Sequence, residues 1–303
     1  MTILSTLGPL LAALLVGYWV PVKTLTPERV ARGLSQLTYV ILGLIGYSIG
    51  ALDNLASKIV IAGYQAVVLF IAITIIPLCA LWISGKVFHA GASKVQHVDN
   101  HQSTRHALID AAKTLGWVLA GVALGWLLKS WIPSVDELVT WLLYLLLFLV
   151  GCQLRQGNFR LRKLFLNTQG MAIAITTVLA TLLAGLIAGA FLGLEWNKSL
   201  AVVSGFGWYS LSGILITGLG DPVLGTTAFL LDLGREIIAL MLIPAFARIN
   251  SHLSVGYSGA TAMDFTLPLL GKVHGAEIVP VCIASGFIMS FLVPVLIPLF
   301  MGM

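Results

Sequence analysis

The chain has 303 residues, of which 58% are hydrophobic and 10% are charged. This composition excludes an ordinary soluble globular protein, in which roughly 25% of the residues are charged. Apolar stretches of about 20 residues recur along the whole chain, and each is long enough to cross the ~30 Å hydrocarbon core of a bilayer. The formal net charge of +5 does not indicate nucleic-acid binding, because the basic residues lie between the apolar stretches, where they set orientation in a membrane. The sequence therefore predicts one integral membrane domain over residues 1–303.

Six apolar segments precede residue 195, and each is predicted to span the bilayer. They are residues 4–22, 34–52, 59–84, 108–132, 138–154 and 170–194. The second three segments faintly resemble the first three: Gly17 corresponds to Gly125, and residues 46–53 correspond to residues 151–158. This similarity predicts a 3+3 repeat within residues 1–194. Its two units are inverted, because three spans are an odd number.

A sequence repeat then follows, with one copy in residues 195–249 and the other in residues 250–303. In each copy a stretch rich in Gly, Ser and Thr interrupts the apolar sequence and is followed by a long apolar helix. A shift of 54 positions aligns the copies and places Ser204 on Ser258, Gly205 on Gly259 and Pro244 on Pro298. Interrupted hydrophobic segments at matching places in two repeats are the best sequence indication of a transporter's binding site.

Each interruption is predicted to fold back as a re-entrant hairpin. Arms of about ten residues reach roughly 15 Å, which is half of the hydrocarbon core. This arrangement places Arg248 on the cytoplasmic side and inverts the two units relative to each other. The predicted fold is therefore all-α, with about eight transmembrane helices and two re-entrant helical hairpins in inverted repeats. The alternative is ten spans, two of which are unwound helices.

The distribution of basic residues predicts the orientation. With the N-terminus outside, most of the 17 Lys and Arg residues fall in cytoplasmic segments, which agrees with the positive-inside rule and places the C-terminus outside as well. The four histidines of the loop 85–106 are irregularly spaced, which favours a solvated linker. Cys79, Cys152 and Cys282 lie far apart inside apolar segments. These spacings do not match a metal site, so neither a metal nor a cofactor is predicted.

The backbone of the two interruptions cannot face lipid, since each unpaired amide in hydrocarbon costs several kcal/mol. It is therefore predicted to line a cavity, although close packing of small residues between helices is the alternative. Hydroxyl groups and glycines of both interruptions are predicted to support a binding site. They are Ser204, Gly205, Gly207, Tyr209, Ser210, Ser212, Ser258, Gly259, Thr261 and Thr266.

Ionisable residues within a span are costly and indicate function by default. Asp264 lies in the second interruption, and Asp53 ends the second span. Asp232, Arg235 and Glu236 share one helix face, because they are spaced i, i+3, i+4. We expect Asp53, Glu236 and Asp264 to bind substrate or protons. Asp232 and Arg235 are expected to support them, or to form a buried ion pair that orients the helix.

Negative charge is in excess among these ionisable residues, of which Arg235 is the only basic one. Such a site suits a cationic substrate. It also suits carboxylates that take up protons and couple a gradient.

The same stretches resemble the bacterial lysine exporter family, over essentially the whole chain. The residues that carry the resemblance are 51–57, 204–213, 235–236, 241–244 and 259–268. The resemblance implies export of L-lysine, and of toxic analogues such as thialysine, across the inner membrane. It also implies eight helices with both termini outside, and it places the family's important acids on Asp53, Glu236 and Asp264. The hypothesis is a multi-pass secondary exporter that exchanges lysine for protons by alternating access.

Two other functions are weighed against lysine export. A cation/proton antiporter would use the same excess of acids. An intramembrane serine hydrolase is suggested by the string Gly256-Tyr257-Ser258-Gly259 with His274 as base. However, His274 follows Lys272 in a loop, and the matching copy at Ser204 has no histidine, so a transporter rather than an enzyme is favoured. The sequence does not fix the oligomeric state, a homodimer being one alternative.

Overall fold

A computed structural model describes residues 3–19, 26–51, 55–91, 101–128, 135–156 and 167–303. The regular structure in these ranges is helical throughout, which confirms the all-α prediction. The helices are α1 (Ile3–Trp19), α2 (Pro27–Gly50), α3 (Leu55–Val87), α4 (His101–Leu128), α5 (Val135–Gln156), α6 (Thr168–Leu192), α7 (Trp196–Val203), α8 (Tyr209–Gly218), α9 (Pro222–Ala247), α10 (Ser251–Ser258), α11 (Leu267–His274) and α12 (Val279–Met301). Two 3₁₀ turns, Gly259–Met263 and Ala276–Ile278, flank α11.

Side-chain caps fix where several helices begin. Asn167 precedes α6, Asp221 precedes α9 and Asn250 precedes α10. Each side chain accepts a hydrogen bond from the backbone N–H three residues later, at 2.8 to 2.9 Å. Such caps satisfy N–H groups that have no partner within the helix.

Four of the described helices are long and apolar enough to cross a membrane. They are α2, α3, α6 and the helix Ala276–Met301 that contains α12. Shorter apolar stretches lie in α4, α5 and α8. This composition fits a multi-pass membrane protein.

Helices α1 and α5 pack along a glycine seam, and so do α2 and α4. A Cβ atom at Gly17 would meet the carbonyl oxygen of Phe148, and one at Gly121 would meet the carbonyl oxygen of Gly43. Small residues of this kind let two backbones approach closely. Helices within a membrane associate through such close packing, because lipid is as apolar as the side chains and the hydrophobic effect does not drive helices together. Helix α2 also contacts α5, so α1, α2, α4 and α5 form one group.

We expect Gly121→Ala to destabilise this group of helices. The added methyl group would overlap the backbone of α2, and overpacking of this kind costs about 1–3 kcal/mol. The matched control is Gly116→Ala on the same helix, where a Cβ atom meets nothing within 4 Å. Thermal unfolding in detergent should show a lower Tm for Gly121→Ala only; equal Tm values for the two variants would contradict the seam.

Helices α3 and α6 belong to a second group, together with both C-terminal units. They pack against each other, α3 also contacts α9 and α10, and α6 also contacts α7 and α12. The grouping therefore differs from chain order, in which the first six helices precede the two units.

Both C-terminal units fold back on themselves. In the first, α8 returns along the first half of α9, so that a Cβ atom on Gly225 would meet the Thr217 hydroxyl. In the second, α11 returns beside α10, and Nε2 of His274 lies 2.6 Å from Oγ of Ser254. The tip of each fold is the Gly/Ser/Thr-rich interruption.

Candidate substrate-binding site

The first interruption, residues 204–208, reverses the chain between α7 and α8. Phe206 has a φ of 48° and Gly207 a φ of 91°, a left-handed conformation that glycine adopts readily but phenylalanine rarely. The turn is closed by the N–H of Trp208, which donates to the carbonyl oxygen of Gly205 at 2.8 Å. A non-glycine residue in this conformation is held by its surroundings.

Asp232 of α9 holds this turn in place. One carboxylate oxygen accepts from the N–H of Gly207 at 2.7 Å, and the other accepts from the Ser212 hydroxyl at 2.6 Å. The second oxygen also occupies the space that a Cβ atom on Gly205 would need. Asp232 is 1% exposed, and these donors give each of its carboxylate oxygens a hydrogen bond.

The second interruption, residues 259–266, is a 3₁₀ turn followed by three non-helical residues. Gly259 has a φ of 67°. The Thr261 hydroxyl donates to the carbonyl oxygen of Ser258 at 2.8 Å. Both the N–H and the hydroxyl of Thr266 donate to the carbonyl oxygen of Thr261 at 3.0 Å. These hydroxyl groups therefore stabilise the turn itself.

Arg235 of α9 binds the helix that leads into this second turn. Nε donates to the carbonyl oxygen of Tyr257 at 3.1 Å, and Nη2 donates to that of Gly256 at 3.2 Å. The side chain is 1% exposed, and in the described part of the chain Nη1 has no hydrogen-bond partner. A positive charge is favourable at these last carbonyls of α10, where the helix dipole is negative.

Asp232 and Arg235 therefore bind different interruptions. Within the described residues they make these hydrogen bonds instead of a direct ion pair with each other. Helix α9 thus fastens both turns through two side chains that lie less than one helical turn apart.

The two interruptions meet through their backbones. The N–H of Ala260 donates to the carbonyl oxygen of Phe206 at 2.9 Å. That oxygen leaves no room for a Cβ atom on Gly259, and the carbonyl oxygen of Ser258 lies 3.6 Å from the Cβ position of Gly207. The structure therefore brings together the segments that the 54-residue shift aligns.

Two adjoining cavities lie where the interruptions face α2 and α5. Their volumes are about 340 Å³ and about 180 Å³. Both are lined by Gln153, Trp208 and Asp264. The larger cavity reaches the start of α2 and the end of α5, whereas the smaller one ends at Ser210 in the first turn of α8.

Asp264 is the acid that the two cavities share. Its side chain is exposed to the cavity space, and one oxygen accepts from the backbone N–H of Phe265. No described basic side chain pairs with it. Among the described residues, the site therefore presents a carboxylate without a basic partner at the point where the two interruptions meet.

A family model described as lysine exporter LysO matches residues 115–301. A relative from Escherichia coli (strain K12), named lysine exporter LysO, is 41% identical over 294 residues, which are 96% of this chain and 97% of the relative. The chain belongs to the lysine exporter family. A putative lysine exporter from Haemophilus influenzae is also 39% identical over 186 residues, which are 61% of this chain and 95% of that relative. The resemblance found in the sequence is thereby confirmed.

The structure separates the three acids that the resemblance to the lysine exporter family singled out. Asp264 lines the cavities. Glu236 is 7% exposed on α9 and is not one of the residues that line them. Asp53 lies outside the described residues.

Several predicted supporting residues of this lysine exporter family member have structural contacts. The Ser204 hydroxyl donates to the carbonyl oxygen of Leu200 at 2.7 Å. The Tyr209 ring packs edge-on against Phe229, with centroids 5.7 Å apart. Of the predicted polar residues, Ser210 and Thr261 line the cavities.

Sequence reasoning missed several residues that line the cavities. Gln153 and Gln156 line the larger cavity, as does Ser290 of α12. A pair of glutamines at i, i+3 near the end of an apolar helix is a signal that could have found the first two. Ser290 lies 54 positions after Glu236, so the repeat could have indicated it.

The structure does not place Ser258 and His274, the suggested hydrolase pair, in hydrogen-bond contact with each other. The Ser258 hydroxyl donates to the carbonyl oxygen of Ser254 at 2.8 Å, whereas Nε2 of His274 contacts the Ser254 hydroxyl. A nucleophilic serine needs its base within hydrogen-bond reach, and His274 is engaged elsewhere.

Proposed function

We propose that this protein exports L-lysine across the bacterial inner membrane as a proton-coupled secondary transporter. The proposal is supported above all by the carboxylate of Asp264, which two adjoining cavities share and which has no basic partner among the described residues, in a chain of the lysine exporter family. A carboxylate in a low-dielectric cavity attracts an ammonium group strongly. The larger cavity has a volume of about 340 Å³, within the range of small-ligand pockets.

The ε-ammonium group of lysine is placed at Asp264, and its α-carboxylate is placed at the start of α8. The N-cap position of that helix, Trp208, makes no side-chain hydrogen bond to the helix. The first turn lies at the smaller cavity, at Ser210. The positive end of the helix dipole favours an anion there. Thialysine carries the same two charged ends, so it suits the same pose.

The proposed topology has eight spanning helices and two hairpins that enter from opposite faces. The hairpin α7–α8 begins beside the end of α6, because Ser199 donates to the carbonyl oxygen of Gly185. The hairpin α10–α11 begins beside the start of α6, because Gln169 donates to Ser251 at 3.2 Å.

The helix contacts support inverted repeats. Exchanging α1 with α4, α2 with α5, α3 with α6 and α9 with α12 maps most of the contacts among these helices onto each other. The contact of α1 with α5 becomes that of α4 with α2, and the contact of α3 with α9 becomes that of α6 with α12. Two copies related by an axis in the membrane plane would have this property.

The cavity is proposed to open to the cytoplasm. It lies at the end where α2 begins and α5 ends. These helix ends carry Arg29, Arg32 and Arg155, and clusters of basic residues mark the cytoplasmic side. Both termini are then outside. Loading from the cytoplasm is what an exporter requires.

The opposite, outer end is closed in this conformation. Helix α8 packs against α2 and α5, and a Cβ atom on Gly218 would lie 3.1 Å from the Leu143 side chain and 3.7 Å from that of Val139. In the described residues, α11 makes no comparable contact with α2 or α5. Alternating access is proposed to move the group of α3, α6 and the two hairpin units against the group of α1, α2, α4 and α5.

Proton exchange provides the driving force in this proposal. Moving a cation out against the membrane potential costs about 2.3 kcal/mol per charge per 100 mV. After lysine is released outside, the carboxylate takes up a proton and becomes neutral. The substrate-free carrier therefore returns to its inward-facing state without moving a negative charge across the membrane.

We expect purified protein in liposomes to release internal labelled lysine faster when the outside is more acidic, and the lumen to acidify as lysine leaves. The measurement pairs label release with a lumenal pH dye, and protein-free liposomes are the control. Release of Na⁺ with no release of lysine would indicate the antiporter instead. Equal release with and without the pH gradient would contradict proton coupling.

A further inference from the structure

Two polar side chains, Trp208 and Gln153, line both cavities together with Asp264. Within the described residues, neither the indole N–H of Trp208 nor the carboxamide of Gln153 makes a hydrogen bond. An indole N–H can only donate, and in a protein interior it usually has a partner. The junction of the two cavities therefore offers hydrogen-bond donors that the described part of the protein does not use.

Trp208 is held in place at this junction. Its carbonyl oxygen accepts from the N–H groups of Leu211 and Ser212, at 3.1 and 3.0 Å. The turn that precedes it is fixed by Asp232. Its ring packs against a buried apolar cluster, which consists of Leu14, Val150, Ala284 and Phe287. The indole is therefore preorganised, so that little ordering is needed when a ligand binds.

The charges around the cavities limit which group of a ligand these donors can receive. No described basic side chain lines either cavity, and Arg235 is engaged with the backbone of α10. A carboxylate that enters must therefore be bound by neutral donors. Hydroxyl groups also line the smaller cavity, but a hydroxyl group on a helix can bond to a carbonyl oxygen of its own helix. The indole and the carboxamide are thus the donors best suited to a ligand carboxylate beside Asp264.

We propose that the indole N–H of Trp208 and the carboxamide N–H of Gln153 bind the α-carboxylate of the substrate and make the site selective for an amino acid over a diamine. This inference rests on the proposed function, which places the ammonium group at Asp264. A molecule that carries both charges satisfies the acid and the two donors at once. A diamine leaves both donors unpaired, and a site built to bind a polar group strongly rejects an analogue that lacks it.

Gln153→Glu should reverse this preference. The substitution keeps the size of the side chain and replaces its N–H groups with a carboxylate. The diamine probe is cadaverine, which is lysine without its carboxylate group. The affinity for lysine should fall roughly tenfold or more, as expected when a hydrogen bond to a charged group is lost. The affinity for cadaverine should rise roughly fivefold or more, because its second ammonium group then meets an opposite charge. Isothermal titration of the purified proteins measures both affinities.

The matched control is Gln36→Glu, which introduces the same carboxylate at an exposed position of α2 that lines neither cavity. It should change neither affinity. Trp208→Phe removes the indole donor, so it should weaken lysine binding roughly tenfold or more and leave cadaverine binding unchanged. A variant that fails to fold loses both ligands, whereas a change in recognition alters the ratio of the two affinities.

The indole N–H also gives a direct readout in the wild-type protein. With ¹⁵N-labelled tryptophan, the Nε1–H resonance that is absent in Trp208→Phe should shift when lysine is added. A resonance that stays in place while lysine is bound would overturn the inference, and so would equal changes in the two affinities in both variants. Absence of lysine binding by the wild-type protein would instead refute the proposed function, and this inference with it.

Discussion

Asp264→Asn is expected to abolish proton-driven lysine export. Asparagine keeps the size of the side chain but removes the charge that faces both cavities. Hydrogen bonds to charged groups contribute about 1.5–3 kcal/mol, so lysine affinity should fall roughly 10- to 150-fold. Without an ionisable group at this position the carrier also loses a proton acceptor, so the pH gradient should no longer accelerate the remaining flux. The measurements are lysine binding by the purified variant and efflux from liposomes with and without a pH gradient.

The matched control for this variant is Glu277→Gln. Glu277 is an exposed carboxylate in the turn before α12, away from both cavities, so its neutralisation should leave lysine binding and efflux unchanged. Wild-type affinity and a wild-type pH response in Asp264→Asn would show that the ammonium group binds elsewhere, and the proposed site would then be wrong.

Arg235→Met is expected to destabilise the protein through the loss of a buried hydrogen bond. The guanidinium group is buried and donates to the carbonyl oxygens of Tyr257 and Gly256. The carbonyl oxygen of Gly256 keeps the Thr177 hydroxyl and the N–H of Gly259 as donors. A buried acceptor left without a donor costs about 1–3 kcal/mol, so loss of the bond to Tyr257 should cost about that much. Methionine fits the space in outline, and it is the residue that the repeat places at the equivalent position, Met289. Thermal unfolding in detergent measures the loss.

The control for this prediction is Arg248→Met, which removes an exposed arginine just after the same helix and should change Tm little. Arg235→Lys should recover only part of the stability, because an ammonium group cannot reproduce the fork of the guanidinium group. A Tm for Arg235→Met close to wild type would mean that α10 is held by its packing alone.

The acids show how far sequence reasoning reached. Spacing i, i+3, i+4 correctly places Asp232, Arg235 and Glu236 on one helix face, since helical geometry fixes that face. It does not determine what each side chain touches, because the partners lie 20 or more residues away along the chain. Asp232 and Arg235 act on the interruptions, and Glu236 remains a predicted binding residue that the described cavities do not include.

The sequence alone determined the all-helical membrane class, the positions of the two interruptions and the placement of an acid in the second of them. Both kinds of information can be read from the order of the residues. The hydropathy of each segment must match the bilayer, and Gly, Ser and Pro residues that the turns require recur after 54 positions. Only the tertiary structure decided that Phe206 and Ala260 join the two tips, that Gln153 of α5 completes the cavity around Asp264, and that α3 and α6 pack with the hairpin units. Those outcomes depend on which helix faces meet, and apolar helices of nearly uniform composition carry little information about their neighbours.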